Sequence, residues 1–121
     1  MNSKDLQDRF KKFALRLVPL GEALPRKKIS RIIEDQLLRS GFSAAANYRA
    51  ACNAQSKKAF NAKLSIALEE ADESTFWLEM IKEISLIQPA KLDLIIKESV
   101  ELTKILGASR RTATKKLTID N

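Results

Sequence analysis

The residues best equipped for chemistry in this chain lie between positions 39 and 73. Arg39, Asn47 and Arg49 fall on one helical pattern, and Glu69, Glu70, Asp72 and Glu73 fall on the next. Asn47 shares the apolar stripe of its helix, so its amide needs internal partners. A short break at residues 53–56 joins the two patterns, and antiparallel pairing about it sets Arg39 beside residues 70–73. A guanidinium enclosed with a carboxylate forms two parallel hydrogen bonds, which fix register more surely than they add stability. Arg39, Asn47, Asp72 and Glu73 therefore read as a structural polar network that sets register. Two other readings use the same residues. One is a ligand or nucleic-acid contact by Arg39 or Arg49, and the other is a metal or acid–base site built from the four acids.

Composition weighs against catalysis. The chain has no histidine, which removes the commonest general base and the commonest transition-metal ligand together. Di-iron bundles pair a Glu with a His three residues on, and that pairing is absent. Cys52 is the lone cysteine. Without an imidazole to activate it, it reads as a small packing residue rather than a nucleophile, and it suits a reducing compartment. Trp77 reads as a core or interface aromatic. Tyr48 has the alternative of stacking on a base, although few aromatics surround it. No catalytic residue, metal or cofactor is expected, and the chain reads as a non-enzyme.

The elements that position these residues are helices. A chain of 121 residues, 45% hydrophobic with three Gly and three Pro, suits one domain spanning 1–121 with few turns. Ala, Leu, Lys and Glu are abundant and favour helix. The longest uncharged run is nine residues, Ser40 to Tyr48, far short of the ~20 that span a bilayer. No charged-then-apolar leader opens the sequence, so a cytoplasmic location away from membranes is expected.

Apolar spacing predicts four helices over about 4–23, 28–54, 57–87 and 90–116. Leu6, Phe10, Phe13, Leu17, Leu20 and Leu24 make the first stripe, with Ser3 as candidate N-cap. Pro19 lies inside that stripe and is expected to kink the helix, since the pattern continues past it. Ile29, Ile32, Ile33, Leu37, Ser40, Ala44, Asn47 and Ala51 line the second helix, where Gly41 costs roughly 1 kcal/mol relative to Ala. Ser56 reads as the N-cap of the third, which carries Phe60, Leu64, Ala67, Ala71 and Leu78. The Gln88-Pro89 pair ends it, and Leu92, Ile95, Ser99, Leu102 and Leu106 mark the fourth. Connections this short force consecutive helices antiparallel, giving an all-α, up-down-up-down four-helix bundle.

Two features point beyond one copy. Gly41, Ala44, Ala45, Ala46, Ala50, Ala51 and Ala54 spread small residues over more than one side of the second helix. Alanines are also simply good helix formers, but Ile66, Trp77, Met80 and Ile84 widen the apolar arc of the third helix. A helix apolar over so wide an arc is usually covered on two sides, so a homo-oligomer is expected.

The net charge of +7 is unevenly placed. In the expected topology, residues 1–14, 43–65 and 104–121 share one end and carry net +10, while 15–42 and 66–103 carry net −3. Lys11, Lys12, Arg49, Lys57, Lys58, Lys63, Arg110, Arg111, Lys115 and Lys116 gather at the basic end. If several copies align in parallel, that end becomes a face able to hold RNA or DNA phosphates by salt-sensitive attraction. An ordinary solubilising surface is the alternative, and no nucleic-acid-reading motif is present.

Several segments carry a family resemblance: Phe13-Ala14-Leu15-Arg16-Leu17, Gln36-Leu37-Leu38-Arg39-Ser40-Gly41 and Ala46-Asn47-Tyr48-Arg49-Ala50-Ala51-Cys52. It continues from Ser56 through Lys63-Leu64 to Glu69-Glu70-Ala71-Asp72-Glu73 and Trp77-Leu78-Glu79. The chain resembles the small four-helix-bundle proteins encoded within intervening sequences of bacterial 23S ribosomal RNA genes. These are similar to the accessory variability proteins of diversity-generating retroelements. The resemblance implies a ring-shaped homopentamer with no catalytic residues. Its retroelement branch implies a basic barrel that binds a reverse transcriptase and nucleic acid. Pro19, within a first helix that the family usually keeps continuous, and Phe42, where a smaller residue is common, depart from the pattern.

Overall fold

The chain starts its first helix with a capping box at Asn2. The Asn2 side chain accepts from the Asp5 amide at 2.8 Å, and the Asp5 carboxylate accepts from the Asn2 amide at 3.2 Å. Asn2 thus takes the capping role expected of Ser3, which becomes the first helical residue. The computed structural model describes residues 1–120, with side-chain burial through residue 117. Four helices follow in order: α1 (Ser3–Glu22), α2 (Lys28–Cys52), α3 (Lys57–Ile84) and α4 (Pro89–Asp120). No strand occurs among the described residues. None of the helices is long and apolar enough to cross a membrane.

Pro19 neither ends nor interrupts α1, which continues to Glu22. The proline falls in the last turn, so the one donor it removes is that to the carbonyl of Leu15, an exposed residue. Ser56 caps α3 as its sequence predicts, accepting from the Ala59 amide at 3.0 Å. α3 stops at Ile84, three residues before its expected end. Ser85 turns left-handed there, with φ 64°, and the Leu86 amide reaches back to the Ile81 carbonyl at 3.0 Å. A left-handed serine costs roughly 1 kcal/mol, and the packing of Leu86 against the core offsets it. α4 extends past the expected end near Lys116 to Asp120.

Cross-helix contacts fix the antiparallel order. Phe10, Leu17 and Gly21 ascend α1 while their neighbours Tyr48, Gly41 and Glu34 descend α2. Ser40 of α2 accepts from Ser74 of α3 at 3.0 Å. Thr75 of α3 meets Ser99 of α4 at 2.5 Å, and Lys82 meets Asp93 at 3.4 Å. Arg9 of α1 closes the bundle with a fork onto Glu98 of α4, Nη2 to Oε1 at 2.6 Å and Nε to Oε2 at 3.2 Å.

Phe10, Phe13 and Leu17 pack in the core against Ile33, Leu37, Leu64, Leu78 and Ile81. The expected α4 stripe of Leu92, Ile95, Ser99, Leu102 and Leu106 is its buried face. The α2 stripe needs correction. Ile29 and Ile32 are exposed, Asn47 is half-buried, and Tyr48 is buried against Phe10 with ring centroids 5.6 Å apart. Tyr48 is therefore a core residue rather than a base-stacking platform.

Gly41 has a specific reason to be glycine. A Cβ there would run into Cδ1 of Leu17, a side chain with no exposed surface to swing into. Close α1–α2 approach therefore outweighs the helix propensity that glycine forfeits. Gly41→Ala is expected to destabilise the fold by about 1–3 kcal/mol, despite gaining ~1 kcal/mol in propensity. Urea unfolding checks this, and an unchanged or higher midpoint would contradict the close approach.

Candidate nucleic-acid interface

Antiparallel α2 and α3 bring Arg39 to the acids of α3. Its Nη1 donates to Glu70 Oε2 at 2.7 Å, its Nη2 to Glu73 Oε2, and its Nε to Gln36 Oε1 at 3.1 Å. Trp77 Nε1 donates to the same Glu73 oxygen at 3.0 Å. Arg39 and Glu73 thus belong to one network, but Glu70 fills the place expected of Asp72, which is exposed. Asn47 stays outside it, donating within its own helix to the Ser43 carbonyl at 2.9 Å and hydroxyl at 3.0 Å. The helical turn explains the swap: residues 70 and 73 lie on the side of α3 facing α2, and residues 69 and 72 face solvent.

Glu70 and Glu73 are spent on one guanidinium, and Glu69 stands apart on the exposed side. Among the described residues, no cluster of three His, Cys, Asp or Glu side chains could hold a metal ion. Cys52 is half-buried beside Tyr48, whose phenol is pushed well above its ordinary range by burial and by the neighbouring thiol.

The ten basic residues singled out in the sequence are all exposed. The fold gathers eight of them in the half of the bundle where α3 begins and α2 and α4 finish, whereas Lys11 and Lys12 lie midway along α1, just beyond Arg9. Among the described residues, no ion pair engages Lys11, Lys12, Arg49, Lys58, Lys63, Arg110, Arg111, Lys115 or Lys116. Arg9 lies where the two halves meet and is taken up by Glu98, with Glu101 at 3.4 Å. Its guanidinium is held above its ordinary range chiefly by the Glu98 hydrogen bond.

Among the described residues, two cavities at the basic end are prominent. The larger, about 790 Å³, lies between the α2–α3 turn and the last turns of α4. Gln55, Ser56, Lys57, Phe60, Thr112 and Lys116 are among its walls. The second, about 470 Å³, brings together Arg110, Arg111 and Lys115 beside Leu68. Lys11, Lys12, Arg49, Lys58 and Lys63 line neither. Sequence reasoning missed both cavities, because each depends on how far α4 runs alongside α3. It also missed Ser74 and Thr75, although their spacing from Ala71 and Leu78 carries the helical signal.

Fold and site define a class: an all-α four-helix protein with a polar register network and a solvent-facing cationic end. Within that class, the family model for 23S rRNA-intervening sequence proteins matches residues 4–108. The chain belongs to that family. A similar solved structure is the crystal structure of a protein of unknown function from the S23 ribosomal protein family of Bacteroides thetaiotaomicron VPI-5482. The two are 35% identical, with a TM-score of 0.83 over 92% of this chain and 99% of that one. No curated protein matches the sequence.

The Arg39 network gives a pH signature. The Glu73 carboxyl is held below its ordinary range by the Trp77 hydrogen bond first and by Arg39 as well, against the opposing push of partial burial. Its folded value lies below the unfolded one, so its stabilisation is full at neutral pH and fades as pH falls through the folded value. The urea-midpoint gap between wild type and Glu73→Gln should hold from about pH 8 to about pH 6 and shrink below about pH 4. A gap that persists unchanged in stronger acid would contradict the pairing.

Proposed function

We propose that this protein is a non-enzymatic scaffold that assembles with copies of itself and engages RNA, or an RNA–protein complex, through the basic end. The observation that carries this reading is the concentration of exposed cations in one half of the bundle, where Arg49, Lys58, Lys63, Arg110, Arg111, Lys115 and Lys116 form no ion pair among the described residues. Phosphates displace condensed counterions when they meet such a surface, so affinity depends on charge count and salt rather than base sequence. Binding of an RNA hairpin should therefore weaken steeply with salt. Reversing Lys58 and Arg110 to Glu should lower the log–log salt slope by roughly 1.4–1.8. Reversals at Lys57 and Arg111 should weaken binding in the same way. Fluorescence anisotropy over a salt series measures both, and no retention of RNA or DNA at low salt would overturn the reading.

The self-assembly part rests on apolar side chains left in solvent. Ile29, Ile32 and Phe42 of α2 and Ile66, Phe76 and Ile84 of α3 are each 40–47% exposed. Side-by-side copies would cover them, and the ring-shaped pentamers that the family resemblance implies are one such arrangement. Light scattering at micromolar concentration should return a multiple of the 13.6 kDa protomer, with five the expected number. A stable 13.6 kDa species would overturn the assembly.

The same apolar faces favour a second reading. In it the chain is a protein-binding assembly module, such as a reverse transcriptase accessory, and its charge has no direct nucleic-acid role. Reverse transcriptase binding that survives nuclease treatment and ignores the Lys58 and Arg110 reversals would select it.

A further inference from the structure

From the 790 Å³ cavity between the α2–α3 turn and α4 we infer a site for one unpaired nucleotide of a bound RNA strand. The inference rests on the proposed engagement of RNA by the basic end, and specifies what that end prefers. The volume falls within the roughly 300–1,000 Å³ typical of small-ligand sites. Phe60 is half-buried against the core and supplies an aromatic wall, the feature on which a base stacks regardless of its identity. The second cavity at this end has no aromatic wall. Ala54, Ala108 and Ala113 keep the remaining apolar wall short, which leaves room for a flat ring.

The rim supplies the complementary chemistry. Lys57 and Lys116 place cations on it, and Gln55 and Ser109 offer side-chain donors and acceptors suited to a base edge or ribose hydroxyl. Thr112, whose hydroxyl donates to the Ala108 carbonyl at 3.2 Å, offers an acceptor. α3 begins at this mouth with no acid in its first turn, so its positive dipole end adds to the attraction for a phosphate. A base held in a duplex cannot reach such a cavity, whereas a base in a loop, bulge or single strand can. The basic end would then prefer unpaired RNA, with the phosphates on the surrounding cations and one base inside.

Phe60→Leu tests this, because it removes the ring and keeps both the apolar contact and the charge. The probes are a ten-nucleotide single-stranded RNA carrying 2-aminopurine and a blunt duplex RNA of equal length. With wild type, the 2-aminopurine emission should change on binding, and the single strand should bind more tightly than the duplex. In Phe60→Leu that emission change should vanish. Single-strand affinity should fall about fivefold or more while duplex affinity stays unchanged. Ala108→Phe, which crowds the cavity from α4, should do the same, and thermal melts confirm that both variants fold. Equal affinity of wild type for the two RNAs, or an unchanged single-strand affinity in the folded variants, overturns the cavity site and leaves the salt-dependent reading standing. Failure of wild type to bind either RNA overturns both.

Discussion

Three connections of five, four and four residues leave each helix no path except back along its predecessor. Every larger feature of the molecule depends on that constraint. It puts the start of α1, the finish of α2, the start of α3 and the finish of α4 at one end. Cations scattered through the sequence from Arg49 to Lys116 are thereby brought into one half of the molecule. Longer connections would release the helices to pair in other orders, and the same composition would then give no polarised charge.

Topology alone does not fix how far each helix slides along the next. A slip of one helical turn moves a side chain about 5.4 Å, enough to separate groups that now meet. Four devices oppose such slips. Gly41 admits Leu17 between α1 and α2, and the Ser40–Ser74 hydrogen bond and the Arg39 fork tie α2 to α3. Thr75 and Ser99 tie α3 to α4. Each hydrogen bond contributes only about 1 kcal/mol when formed. Ser40, Ser74 and Thr75 also reach the Leu37, Glu70 and Ala71 carbonyls of their own helices, so a slip would cost the cross-helix bonds and strand the Ser99 hydroxyl. Arg39 itself is half exposed, so solvent screens its contribution and register is its main consequence.

The sequence was most legible where one physical signal dominated. The α4 stripe keeps unbroken steps of three and four, so its buried face was readable residue by residue even beside Leu94, Ile96, Val100 and Ile105. α2 was harder because it is apolar on two sides, so spacing alone could not say whether Ile29 and Ile32 or Ser30 and Tyr48 faced inward. The end of α3 was misplaced because Leu86 and Ile87 continue its apolar pattern, while the cause of the stop is a backbone torsion at Ser85. Arg39 was correctly brought to the acids of α3 by distance from the turn. Choosing Glu70 over Asp72 required the rotation of α3 about its axis. The cavities had no sequence signal, being spaces between elements rather than patterns within one.

The exposed apolar residues and the exposed cations occupy different surfaces. Six exposed apolar side chains run along the flanks of α2 and α3, with Leu15 on α1 and Leu94 on α4, and most of the cations sit toward the end where α2 and α4 finish. Covering the flanks with sister copies would therefore leave that end open. Relative orientation then decides what assembly does to the charge. Antiparallel neighbours would set each net +10 end beside a net −3 end and largely cancel the field. Parallel neighbours would multiply it, and closure of a ring is the way to repeat a parallel contact without leaving an unsatisfied flank. The proposed assembly and the proposed RNA contact are thus linked by geometry. Side-by-side growth in one direction turns a modestly basic protomer into a broad cationic face, and the steep salt dependence expected of that face would follow from copy number.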